Sequence, residues 1–155
     1  MILTTKHVKL NTRNGHVKIP TRGSNGASGY DLCAVVKGSE TIKPGETKMI
    51  SSGMKMVIPK GICGLLVPRS GLSTKRGIVL ANTIGVIDSD YRGEIKMALM
   101  NISDTSFEVT NGLRVAQILF IPTLTPGFEY CSDADFNYDC STERQGGGFG
   151  STGVS

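Results

Sequence analysis

Ile95-Lys96-Met97-Ala98-Leu99-Met100-Asn101, followed by Phe107-Glu108-Val109-Thr110-Asn111-Gly112-Leu113-Arg114-Val115-Ala116-Gln117-Ile118-Leu119-Phe120-Ile121, is the stretch on which the fold turns. Its apolar residues fall into short runs, Ile95 to Asn101, Phe107 to Val109 and Leu113 to Ile121, and none carries a helical stripe. Asn111-Gly112 between the last two is a strong hairpin signal. The imperfect alternation of residues 95–100 suits a strand covered on both faces.

Working outward, Tyr30 to Val36, Thr47 to Ser51, Met54 to Ile58 and Ile62 to Val67 form a second series of strand-like runs. Lys43-Pro44-Gly45-Glu46 and Pro59-Lys60-Gly61 supply turns, with Pro fixing φ and Gly accepting positive φ. One short helix is expected, from Ser70 or Gly71 to about Arg76. The pattern predicts an all-β domain of sandwich or barrel type. Residues 1–127 form its catalytic body, and 128–155 form a connecting segment and a Gly-rich arm without a strand pattern.

Composition agrees. The chain has 155 residues, 39% hydrophobic, with 20 glycines and no Trp, which favours short strands and tight turns over a helical bundle. A formal charge of +4 suits an anionic small molecule as well as nucleic acid; no Lys/Arg run marks a nucleic-acid stripe, and composition does not decide between them. The start, Met1 to Lys6, lacks a basic region leading into an apolar core, and no segment approaches membrane-spanning length. The expectation is a soluble cytoplasmic protein that touches neither nucleic acid nor membrane. Cys33, Cys63, Cys131 and Cys140 lack metal-ligand spacing and are read as free thiols, although Cys131 and Cys140 have the option of pairing if oxidised.

Five segments carry candidate chemistry. Asn82 to Glu94 packs an apolar approach (Gly85-Val86-Ile87), Asp88, Asp90, Tyr91 and Arg92 into one turn. A buried Asp88 there is placed to orient and deprotonate a water; the same residues also fit an Asx-type turn. Pro68-Arg69-Ser70-Gly71-Leu72 sets a guanidinium and a hydroxyl where the short helix begins, which suits an oxyanion site and equally an N-cap by Ser70. Arg114 and Gln117 interrupt an apolar strand and need partners in the core or in a ligand. Asp31 stands at a strand start in Ala27-Ser28-Gly29-Tyr30-Asp31-Leu32. Finally, Arg144-Gln145-Gly146-Gly147-Gly148-Phe149-Gly150-Ser151-Thr152-Gly153 reads either as a Gly-rich linker or as an arm that wraps amides around phosphate while Phe149 covers something flat. Only Val154 and Ser155 follow it, so the helix that supports a P-loop is missing.

In order and wording these segments resemble the five motifs of the trimeric dUTP pyrophosphatase (dUTPase) family. Gly29-Tyr30-Asp31-Leu32 looks like motif one, Pro68-Arg69-Ser70-Gly71-Leu72 like motif two, and Gly85-Val86-Ile87-Asp88 with Asp90-Tyr91-Arg92-Gly93 like motif three. Gly112-Leu113-Arg114-Val115-Ala116-Gln117 looks like motif four, and Gly148 to Gly153 like motif five. The resemblance implies a jelly-roll-like β-barrel, a homotrimer, and three active sites shared between subunits. It implies hydrolysis of dUTP to dUMP and pyrophosphate, which limits uracil incorporation into DNA and supplies dUMP for dTMP synthesis. By the same carry-over Asp88 is the base for a water attacking the α-phosphorus. Arg69, Ser70, Gly71, Gln117 and Arg144 contact phosphates. Asn82 and the backbone at Gly85 read uracil, Tyr91 packs on the deoxyribose, and Phe149 with Gly150 and Ser151 closes over the bound nucleotide. Mg²⁺ rides on the triphosphate, with Asp31 supporting it through water.

Two departures stand out. The family arm usually reads Arg-Gly, whereas Gln145 follows Arg144, and Gln tolerates positive φ poorly. The acidic stretch from Tyr130 to Cys140 is longer than the usual connection and is where a regulatory protein partner would be sought. A related dCTP deaminase would need a Glu a few residues beyond the motif-three turn, where this chain carries Ala98. A non-enzymatic nucleotide-binding regulator would gain nothing from a buried Asp88, since like charges repel beside a triphosphate.

Overall fold

The computed structural model describes residues 9–12 and 17–139. Ten strands and two short helices follow in the order β1 (Lys9–Thr12), β2 (Tyr30–Cys33), β3 (Ser39–Ile42), β4 (Thr47–Val57), β5 (Ile62–Pro68), α1 (Ser70–Arg76), β6 (Ile78–Leu80), β7 (Gly85–Ile87), β8 (Glu94–Asn101), β9 (Phe107–Thr110), β10 (Arg114–Pro122) and α2 (Asp133–Asp139). The strands pair antiparallel throughout, as β1-β4-β8-β6, β2-β10-β5-β7 and the ribbon β3-β9. One apolar core joins them: Met54 and Ile50 of β4, Ile95, Met97 and Leu99 of β8, Leu66 of β5, Ile118 of β10, Ile42 of β3 and Val109 of β9. This is the jelly-roll-like all-β fold expected. Chain contacts gather into two units, Met1–Leu124, which holds every strand, and Thr125–Ser155, which holds α2.

The Pro-Gly turns form as read. Glu46 donates its amide to the Lys43 carbonyl at 3.0 Å with Gly45 at φ 75°, and Ile62 donates to Pro59 at 3.2 Å with Gly61 at φ 81°. Asn111-Gly112 does not close a hairpin. Only Gly112 takes positive φ, at 80°, so the turn is not of the I′ kind that keeps two strands paired. β9 goes to β3 and β10 to β2 and β5, which makes Asn111-Gly112 the corner between sheets.

The runs read as Thr47–Ser51 and Met54–Ile58 are one strand, β4, broken in register between Ser51 and Lys55. Gly53 turns there at φ 67°, and its amide donates to Ser51 Oγ at 2.9 Å and to Glu94 Oε1 at 3.2 Å. β8 is buried on one face only, at Ile95, Met97, Leu99 and Asn101, with Lys96 exposed and Ala98 and Met100 half-buried. Coverage of both faces was the expectation; the alternation is sharper because Ala98 and Met100 sit on the outer face.

α2 was not expected within the arm region. Ser132 caps it, its hydroxyl accepting the Asp135 amide at 3.2 Å and donating to the Asp135 carboxylate at 2.6 Å. Asp133 and Asp135 in its first turn complement the positive helix end.

Candidate active site

Three chain segments meet at one cleft because β10 runs between β2 and β5. Gln117 of β10 stands opposite Asp31 of β2 on one side and Val67 of β5 on the other, and β5 hands the chain to Arg69, Ser70 and Gly71. Gly29, Asp31, Arg69, Ser70, Gly71 and Gln117 all line an open cavity of about 430 Å³. Gln117 Nε2 donates to the Pro68 carbonyl at 3.0 Å, and a β-carbon on Gly29 would collide with the Gln117 amide. Gly29 is therefore glycine because a side-chain amide lies on its backbone. Lys75 and Arg76 add two cations to the rim, leaving Asp31 as the only carboxylate in the lining, so the cleft is built for an anion.

Asp31 is engaged on both oxygens. Arg69 Nε meets Oδ1 at 2.8 Å and Arg69 Nη2 meets Oδ2 at 3.5 Å, while Arg114 Nη1 meets Oδ2 at 3.2 Å. Arg69 Nη1 donates to the Arg114 carbonyl at 3.1 Å, closing a ring of three residues. Arg114 and Gln117 are three apart, an odd spacing that would put them on opposite faces of a regular strand. A bulge corrects this: Arg114 pairs with Cys33, but Ala116 pairs with Leu32 and Gln117 with Asp31. The extra residue brings Arg114 and Gln117 to the same face and leaves Val115 and Ala116 buried side by side.

Ser70 is not the N-cap of α1. Arg69 holds that position with extended φ/ψ and no side-chain cap bond, which leaves the Ser70 hydroxyl to the cleft.

Motif three lies elsewhere on the chain. None of residues 82–92 lines the cleft. β7 is a three-residue strand paired only with β5, Gly85 opposite Leu66. Before it, Ile84 donates its amide to the Asn82 carbonyl at 2.5 Å across Thr83, whose φ is 56°. Positive φ at a β-branched residue is strained, and it folds Asn82 back toward Gly85. A β-carbon on Gly85 would stand 3.1 Å from Leu66 Cβ and 3.2 Å from Asn82 Nδ2, a tight fit in which those neighbours would have to give way by a few tenths of an ångström.

After β7, Tyr91 donates its amide to the Asp88 carbonyl at 3.2 Å, and Arg92 Nη1 fastens the turn through Ser89 and Tyr91 carbonyls, both at 2.8 Å. Tyr91 Oη donates to the Glu94 carbonyl at 3.0 Å, with the ring laid over Gly93. Asp88 itself is exposed, and among the described residues its carboxylate has no hydrogen-bond partner. It is neither the anchor of an Asx turn nor the buried carboxylate expected, because among the described residues the edge strand that leads into it pairs with β5 alone. Ile84 and Val86 beside it are 52% and 57% exposed.

Arg144, Phe149, Gly150 and Ser151 lie outside the described residues. Sequence reading left Arg114, Lys75 and Arg76 without roles; the three-residue spacing of Arg114 and Gln117 was the available sign of a bulge. Among the described residues no three His, Cys, Asp or Glu side chains converge as a metal cage, and Cys33, Cys63 and Cys131 are free thiols. No helix there is long and apolar enough to cross a membrane.

A dUTPase family profile matches residues 15–153. The deoxyuridine 5′-triphosphate nucleotidohydrolase of Hahella chejuensis is 40% identical over 139 residues, covering 89% of this chain and 88% of that protein. The protein of the same name from Hydrogenovibrio crunogenus is 38% identical over 155 residues and covers 99% of each. The solved dUTPase of Staphylococcus bacteriophage 80alpha with dUPNHPP shares the fold at a TM-score of 0.85 and 25% identity, covering 97% of this chain and 100% of that one. A mutant dUTPase of phage phi11, described with a structural Mg(II) ion, is alike in fold at a TM-score of 0.74 and 22% identity, over 84% of this chain and 100% of that one.

Proposed function

The chain belongs to the dUTPase family, and we propose that its cleft and its exposed Asp88 turn are two parts of one site for hydrolysing dUTP to dUMP and pyrophosphate. The enzyme is a dUTP diphosphatase. The observation that carries the reading is the gathering of Arg69, Ser70, Gly71 and Gln117, from separate segments, on a cavity whose rim adds Lys75 and Arg76. That is a triphosphate's environment. Arg69 supplies charged, directional donors, and Ser70 and Gln117 supply neutral ones.

Asp88 accepts a hydrogen bond from the attacking water, turns its lone pair toward the α-phosphorus and takes the proton as the P–O bond forms. Pyrophosphate leaves on the opposite side. Because Asp88 and Tyr91 do not face this chain's own cleft, the site is completed by neighbouring subunits of a homotrimer. The uncovered Ile84 and Val86 support a subunit packing there. The strained Asn82-Thr83-Ile84-Gly85 turn reads uracil through Asn82 and its backbone and leaves no space for a 5-methyl group. Tyr91, held rigidly on its own turn, packs against the sugar where a 2′-hydroxyl would sit. Arg144, Phe149, Gly150 and Ser151 close over the nucleotide and exclude water from the phosphates.

The substrate is dUTP with Mg²⁺ on its phosphates. Among the described residues Asp31 is the one cleft carboxylate; it already faces two guanidinium groups, and no cage of protein ligands stands beside it. Mg²⁺ on the phosphates would supply charge neutralisation and help hold the triphosphate for in-line displacement, with Arg69, Ser70 and Gln117 binding it from the protein side. A deaminase is disfavoured because Ala98 offers only a methyl group for acid–base work. We place the reaction in the cytoplasm. The test is pyrophosphate release from dUTP, dCTP, dTTP and UTP side by side with Mg²⁺; release from dUTP alone is expected, and equal release from dTTP would refute the reading.

A further inference from the structure

Arg114 does not line the cleft, yet it is tied to it. Asp31 meets two guanidinium groups, that of Arg69, which lines the cleft, and that of Arg114, which does not, with side-chain exposures of 13% for Asp31, 32% for Arg69 and 56% for Arg114. Arg69 uses Nε and Nη2 on the carboxylate and Nη1 on the Arg114 carbonyl, which fixes the plane of its guanidinium. The bulge in β10 exists at the one place where it turns Arg114 onto the face of Asp31.

We infer that Asp31 and Arg114 are positioning residues that lock the Arg69 guanidinium in the orientation that receives phosphate, and that the Asp31 carboxylate serves this clamp in place of a metal. The inference rests on the dUTPase reading for what Arg69 binds. The physical reason is economy of disorder: an arginine already held through Nε and both Nη nitrogens, with one N–H left on each Nη, loses little rotamer freedom when a phosphate arrives, whereas an unheld one must be ordered by the substrate. Arg114 is needed because a carboxylate paired with a single cation would compete with phosphate for that cation. Sharing Asp31 between two guanidinium groups leaves a net positive charge for the ligand.

The effect is therefore on substrate capture. The full chain and the variants Arg114→Met, Arg114→Lys and Asp31→Asn are compared in a pyrophosphate-release assay with dUTP, titrated in both dUTP and Mg²⁺. Arg114→Met raises KM for dUTP about fivefold and Asp31→Asn about twentyfold, the scale of losing one or two charge-assisted bonds acting through another residue. For both, kcat stays within about threefold, and the Mg²⁺ concentration for half-activation is unchanged. Arg114→Lys, which keeps the cation, recovers part of the loss in KM. A shifted Mg²⁺ midpoint in Asp31→Asn beside a wild-type KM in Arg114→Met would overturn the clamp and give Asp31 to the metal. Loss confined to kcat would overturn it too. If Asp31→Asn fails to fold, Arg114→Met decides, since that side chain is largely in solvent. No pyrophosphate from the unaltered chain would bring down the dUTPase reading and the clamp together; a wild-type KM in Arg114→Met with an active parent brings down the clamp alone.

Discussion

Asp31 and Asp88 are the same side chain in opposite circumstances. Asp31 is 13% exposed, and two arginines meet its oxygens, whereas Asp88 is exposed and, among the described residues, unpartnered. A carboxylate satisfied by its own chain has finished its work on folding and serves to hold something else still. One left open at the end of an edge strand is kept for a ligand, a water or another chain. Under the function proposed, the cleft half of the site is thus complete within one chain, and the Asp88 half is not.

The largest effect expected from this contrast is chemical. Asp88→Asn should lower kcat by about 10²–10⁴ while dUTP affinity stays within a few-fold, because Asp88 touches the water and not the substrate. Steady-state kinetics with a binding measurement on the inactive variant checks it. Retention of more than a tenth of wild-type kcat would break the comparison.

Next in size is the arm. Removal of Gln145 to Ser155 should leave a folded trimer whose kcat falls about 10–10²-fold, since closure positions the triphosphate more than it captures it. Mixing the truncated protein with Asp88→Asn should restore some activity, because exchanged trimers pair a sound Asp88 with an arm from another chain. Native mass spectrometry, which resolves the mass of each trimer, confirms mixing, and mixed trimers without rescue would argue against a shared site.

Tyr91→Ala is expected to cost about tenfold in kcat/KM for dUTP, or about 1.4 kcal/mol, and little for UTP, so the ratio between the two narrows. An unchanged ratio would place sugar discrimination away from the Asp88 turn.

What the sequence made legible follows from which residues have narrow conformational options. Pro44-Gly45 and Pro59 to Gly61 could only be turns, and Ser70 to Arg76 has Gly77 at φ 64° to end its helix, so those elements stand where they were read. Asn111-Gly112 misled because only tertiary pairing decides whether a tight turn closes a hairpin or a corner. β6 and β7, three residues each, are too short to show a period, and β3 carries one buried residue, Ile42. The bulges in β4 and β10 are changes of register, which is a property of two strands and is not written in either one. The residues that line the cleft were legible as a set, through family resemblance, but not as a geometry: nothing in the sequence says that Asp31 faces two arginines, or that Asp88 faces none among the described residues.

The smallest effect tests the contrast by stability instead of rate. Asp31→Asn keeps the shape and one acceptor oxygen but turns the other into an NH2 donor that faces a guanidinium, so charge compensation is lost and part of the bonding survives. Arg69 and Arg114 are partly exposed and regain some hydration, which holds the cost to about 1 kcal/mol. Asp88→Asn removes a charge that pairs with nothing in the described chain, and it should change unfolding free energy by no more than about 0.5 kcal/mol in either direction. Urea unfolding at one fixed protein concentration compares the two, since subunit association would otherwise shift both midpoints. The expected result is a lowered midpoint for Asp31→Asn with an unchanged slope, and a wild-type curve for Asp88→Asn. A larger loss from Asp88→Asn would mean that its carboxylate is held in the assembled protein as firmly as Asp31 is held in the chain, and that the open half of the site is closed by structure before substrate arrives.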